Sequence, residues 1–126
     1  MDIRSFTGAV VLTTAVLGCT TNPISGREQL LLVSEGAAIA DSAQAYQSLV
    51  GKLEKDGKLS HDAKLIARVE RITDLLIDQA VRVRPETANW SWSVRVIDDP
   101  KTVNAWCMPG GKIAVYTGLI DKIKPT

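Results

Sequence analysis

The sequence predicts an α+β fold: two amphipathic antiparallel helices followed by a small antiparallel β-hairpin sheet. Three observations predict it. Apolar residues recur at helical spacing between Ser34 and Val83, the period changes to two after Pro85, and Gly- and Pro-containing turns cut the remainder into short strands. The 126 residues suffice for one small domain at most. Fifteen Lys+Arg against fourteen Asp+Glu leave a net charge of +1, so no nucleic-acid partner is expected. One histidine excludes any metal site made from two imidazoles of this chain.

The first element is an address. Ser5 to Gly18 carries no charge and is too short and polar for a membrane-spanning helix. Val16-Leu17-Gly18-Cys19 resembles the bacterial lipoprotein processing box. The resemblance implies that residues 1–18 are a signal peptide and that Cys19 is the lipid attachment site. With Thr20 rather than Asp after the cysteine, it further implies the bacterial outer membrane, facing the periplasm. The other readings are a buried N-terminal helix with an incidental cysteine, and a Cys19–Cys107 disulfide in an oxidising compartment. Residues 19–33 form an anchor and tether, with turns at Asn22-Pro23 and Ser25-Gly26 and a short apolar run, Leu30 to Val33.

Residues 34–126 form the folded part. Ser34 caps a first helix, and Ile39, Ala43, Tyr46, Val50 and Leu53 lie on one face of it. Gly57 stops that helix and Ser60 opens the next. Leu65, Ile66, Val69, Ile72, Leu76 and Val83 form the second stripe, and Pro85 ends it. The short turn between the helices predicts that the two pack against each other. Trp90, Trp92, Val94 and Val96 then alternate with polar neighbours as a half-buried strand. Asp98-Asp99-Pro100 is a solvated turn, and Val103–Cys107 a second strand. Pro109-Gly110-Gly111 is a tight bend, Lys112–Tyr116 a third strand, and Thr117–Lys124 a short helical segment.

The stretch Asn104-Ala-Trp-Cys-Met-Pro109-Gly110-Gly111, followed by Tyr116-Thr-Gly118-Leu, carries a family resemblance. So does Asn22-Pro-Ile-Ser-Gly-Arg-Glu-Gln-Leu-Leu-Leu-Val-Ser34, directly after the cysteine. Together they resemble the zinc metallopeptidases of the HtpX and CAAX-prenyl-protease superfamily, a gluzincin group, and within it the periplasmic lipoprotein branch. The resemblance implies peptide-bond hydrolysis in envelope protein quality control, with extended or unfolded peptide segments of envelope proteins as partners and a lipid anchor in the membrane. It also implies zinc as the family's cofactor, held by a helix bearing His-Glu-x-x-His. That motif does not occur in this sequence, whose single histidine, His61, is followed by Asp62.

The Pro125-Thr126 pair is a helix-opening signal with no helix after it. The expectation is therefore an N-terminal portion of a metallopeptidase domain, an incomplete and truncated fragment, binding no zinc and inactive on its own. The alternative is a non-catalytic lipoprotein module that binds extended peptides or a partner protein through its edge strand. By the resemblance, Asn104, Ala105, Pro109, Gly110 and Gly111 match the substrate-binding rim. A plain hairpin turn would use the same glycines. Cys107, with no histidine nearby in sequence, reads as a packing thiol.

Overall fold

The computed structural model describes residues 19–21, 26–30 and 32–124. The signal segment, the Asn22-Pro23 turn and the Pro125-Thr126 signal lie outside the described residues. Two units are present. In the first, β1 (Cys19–Thr21) pairs antiparallel with β2 (Glu28–Leu30), placing Cys19 opposite Leu30. The anchor and tether stretch thus contains a short antiparallel strand pair.

The second unit is the α+β fold. Helix α1 (Glu35–Lys55) starts where Ser34 accepts a hydrogen bond from the Ala37 N–H. It ends at Asp56 and Gly57, the latter with φ of 63°. Helix α2 (Ala63–Val83) starts two residues later than Ser60 would have it. The Asp62 carboxylate accepts from the N–H groups of both Lys64 and Leu65, making it the better cap. Ser60 is meanwhile committed elsewhere, its N–H donating to the Val96 carbonyl. A 3₁₀ turn (Pro85–Asn89) follows, and then β3 (Ser93–Ile97), β4 (Ala105–Met108), β5 (Lys112–Tyr116) and α3 (Thr117–Ile123).

Two expectations are corrected here. The sheet is not an antiparallel hairpin sheet but a mixed one of order β3-β5-β4. β3 runs parallel to β5, with Val94 beside Ile113, while β4 and β5 form the antiparallel hairpin. The chain leaving β3 crosses to the far edge before turning back, so β5 becomes the central strand.

Nor do the two long helices form a pair with each other. They cover opposite faces of the sheet. On one face, Tyr46 of α1 reaches Ser93 Oγ (3.3 Å) and the Ile113 carbonyl (3.2 Å), and its ring meets Trp106 edge-on at 6.1 Å. On the other, Val69 of α2, Val96 of β3 and Ile120 of α3 form the core, with Leu65, Ile66, Val94 and Val115 around it. Covering both faces explains why β3 does not alternate cleanly. Val96 and Ile97 point to opposite faces and both are buried.

The α2 stripe is also only partly used. Val69 is buried, whereas Leu76 and Val83 are each 63% exposed. Among the described residues, no helix is long and apolar enough to cross a membrane.

Candidate functional site: an open strand edge and its cavity

β4 lies at one margin of the sheet, so one of its sides has no strand partner among the described residues. The hydrogen-bond directions follow from its neighbours. The Asn104 carbonyl accepts from Tyr116 N–H, and the Met108 carbonyl from Gly111 N–H. Asn104, Trp106 and Met108 therefore turn their main-chain groups toward β5. Ala105 and Cys107 turn theirs outward, where an extended peptide could pair with them. Asn104, Ala105, Cys107 and Pro109 are exposed.

Beside this edge is an apolar cavity of about 220 Å³ between the sheet, α2 and α3. Ala105, Ile113 and Val115 form its floor, and Leu76 and Ile123 stand at its mouth. A small apolar cavity next to free main-chain donors and acceptors suits an extended segment. An open strand edge can hold a peptide backbone, and the cavity has room for an apolar side chain.

Within the Pro-Gly-Gly bend, Pro109 is exposed and the two glycines are not. Pro109 and Gly110 occupy the central positions of a turn closed by the Gly111 N–H on the Met108 carbonyl, and Gly110 has φ of 79°. Gly110 and Gly111 are buried. A Cβ on Gly110 would lie 2.9 Å from Ile39 Cγ2, and one on Gly111 only 2.4 Å from Trp92 Cε3. Their lack of bulk admits Ile39 and Trp92. Of the five rim residues expected from the sequence, Asn104, Ala105 and Pro109 face solvent, while the two glycines shape the end of the strand.

Sequence reasoning did not find Ile113, Val115, Leu119 and Ile123 as cavity residues. The only signal was the excess of apolar residues over what a thin sheet can bury. It also missed the clamp at the α1 start. Arg84 pairs there with Glu35 (3.1 Å) and Glu86 (2.8 Å) and sits over Trp90, 5.8 Å from the ring centroid. Hydrogen bonds and the two acids raise the Arg84 pKa. The Glu86 carboxyl is held below its usual range, first by its own backbone N–H and then by Arg84.

The Asp98-Asp99 pair is a turn, as its sequence implied. Asp99 accepts from the Thr102 hydroxyl (2.7 Å) and the Lys101 N–H (3.1 Å), and these bonds lower its pKa. Cys107 is exposed and free, yet partial desolvation against the strand raises its thiol pKa. That makes a poor nucleophile.

Zinc needs three or four converging nitrogen, sulfur or carboxylate donors. Among the described residues no three His, Cys, Asp or Glu side chains come together in this way. His61 is exposed, and its neighbour Asp62 is occupied as a helix cap. The residues described do not fit the metal.

The described residues thus form an α+β unit with an open strand edge beside an apolar cavity. Residues 63–126, slightly more than half of the chain, match the model of Peptidase family M48. The chain belongs to that family, a family of zinc metallopeptidases. It is similar to "Metalloendopeptidase OMA1, mitochondrial" of Homo sapiens and of Bos taurus, at 26% identity over 81% of this chain and 19% of each relative. It is also similar to "Mitochondrial metalloendopeptidase OMA1" of Arabidopsis thaliana, at 53% identity over 27% of this chain and 7% of the relative. The chain thus spans about a fifth of the length of the mammalian relatives. No solved structure matches it.

Proposed function

We propose that this chain supplies the peptide-holding side of an M48-type metalloendopeptidase and receives extended segments of unfolded envelope proteins on the outer edge of β4. The observation that carries the reading is the outward-facing main chain of Ala105 and Cys107 beside the apolar cavity. Ala105 and Asn104 meet the incoming segment, and Pro109, Gly110 and Gly111 end the strand with a rigid turn. Parallel to this stands the absence, among the described residues, of a zinc-binding set. Our reading is that this chain does not hydrolyse peptides on its own and that the edge acts as a binding site in its own right. Cys19 is the proposed lipid anchor, holding the protein to the periplasmic face of a bacterial outer membrane. What supports the anchor is the order of uncharged run, Gly18 and cysteine.

Fluorescence anisotropy with labelled peptides of alternating apolar residues tests the edge. Binding should weaken about fivefold in Ala105→Glu, which sets a carboxylate over the cavity. It should also protect the Ala105 and Cys107 amides from hydrogen exchange. Peptides that bind equally well to Ala105→Glu, without such protection, would refute the site. Stoichiometric zinc in the purified chain, together with cleavage of casein, would overturn its inactivity. Mass spectrometry of the N-terminal peptide, looking for acyl groups on Cys19, checks the anchor.

A further inference from the structure

The sheet has a second open margin, the outer side of β3, and it is built differently from β4. Ser93 N–H donates to the Gly111 carbonyl, so Ser93, Arg95 and Ile97 direct their main-chain groups toward β5. Val94 and Val96 direct theirs outward. At the far end this outer side is already used: Ser60 N–H donates to the Val96 carbonyl, and Asp98 N–H to the Lys58 carbonyl. The pairing stops there. The N–H groups of Val94 and Val96 find no partner among the described residues, and the Val94 carbonyl is held only by the exposed Arg95 guanidinium at 2.9 Å.

Along the same stretch runs a polar channel of about 320 Å³ between β3 and α2, with Trp92 at one end. Its α2 wall carries Glu70, Thr73 and Asp74. Glu70 and Asp74 are one helical turn apart, a mutually repelling pair, and neither forms an ion pair among the described residues. Arg95 is the one basic residue among those lining the channel, and its guanidinium lies on the Val94 carbonyl rather than on either carboxylate. Thr73 is 5% exposed, and its hydroxyl makes no hydrogen bond among the described residues, although it is not sealed from solvent.

We propose that this margin is a second docking groove. It takes an extended polypeptide segment bearing a basic side chain, which adds as a strand beside Val94 and Val96 in line with Lys58–Ser60. The incoming backbone takes up the free Val94 and Val96 N–H groups and displaces Arg95 from the Val94 carbonyl. The basic side chain lies between Glu70 and Asp74 and relieves their repulsion. The site is separate from the β4 edge, which the central strand β5 keeps one full strand away.

The probe is fluorescein-labelled Thr-Val-Lys-Val-Thr, compared with the same peptide carrying Glu for Lys and with one N-methylated at the lysine and both valines. Anisotropy on the full chain should show the Lys peptide binding about fivefold or more tighter than the Glu peptide. The N-methylated peptide should not bind, since it cannot donate to the strand. Glu70→Gln with Asp74→Asn, both exposed positions, should erase the preference for Lys without lowering the melting temperature. Hydrogen exchange should slow at the Val94 and Val96 amides. Equal binding of the Lys and Glu peptides, a preference that survives the double substitution, or protection at Ala105 and Cys107 alone would overturn the proposal. The last result would leave the β4 reading standing, so the two edges are distinguished in one experiment.

Discussion

The two margins of one three-stranded sheet present opposite chemistry. Along β4 the flanking space is an apolar cavity, with Leu76 and Ile123 exposed at its mouth. Along β3 the flanking space is a channel bordered by Glu70, Asp74 and Arg95. The main-chain offer is nearly the same on both sides, two outward-facing residues each, so the difference comes from α2. That helix presents Ile72 and Leu76 toward one margin and Glu70 and Asp74 toward the other, because positions two apart on a helix face different ways. One amphipathic helix laid along a sheet thereby gives its two edges separate specificities.

Removing what both margins share should have the largest effect. Gly111 donates to the end of β4 and accepts from the start of β3. Gly111→Ala brings a Cβ into Trp92 and a side chain to a φ of 78°. A loss of about 3 kcal/mol, seen as a large drop in melting temperature, should follow, and both peptide sites should fail together. Survival of either site would show that the margins do not depend on this turn.

Tyr46→Phe is a milder test. It removes the hydroxyl that ties β3 through Ser93 and β5 through the Ile113 carbonyl, at a cost of about 1–2 kcal/mol in urea unfolding. The apolar cavity lies on the opposite face, so β4 binding should hold while the start of β3 loosens.

A smaller effect concerns acid. The Asp99 carboxyl is depressed in the folded chain by the Thr102 hydroxyl and the Lys101 N–H. A depressed carboxyl stabilises the fold above the ordinary carboxylate range, and that stability is lost as pH falls through the lowered value. Thermal melts between neutral pH and pH 3 should therefore decline less steeply in Asp99→Asn. The crossover from β3 to β4 should be the first region to gain exchange on acidification.

The smallest expected effect is on Cys107. Its raised thiol pKa means that iodoacetamide should react more slowly than with free cysteine near pH 8, and that the two rates should converge as pH rises. A peptide on β4 should slow the reaction further, and one on β3 should leave it unchanged.

Much of the fold was legible from residue order. The Ser34 cap, the Gly57 stop, the Lys112–Tyr116 strand and the short helix after it stand where local chemistry puts them. Family membership was legible too, from the Asn104-Ala and Pro109-Gly110-Gly111 pattern. The candidate site was legible only in part. Ala105 and Asn104 lie on an open edge, but the burial of Gly110 and Gly111 depends on Ile39 and Trp92, distant partners that no local pattern names. The start of α2 shifted from Ser60 to Asp62 for a similar reason, since a long-range bond to Val96 holds the Ser60 backbone.

Periodicity, caps and turn residues act within a few positions of one another, and they were enough to specify the two long helices, the three strands of the sheet and the short last helix. Long-range packing puts β5 between β3 and β4 and sets α1 and α2 on opposite faces. Strand order and layer are set by which apolar surfaces meet. Tyr46 and Val69 look alike as members of helical stripes until the sheet comes between them.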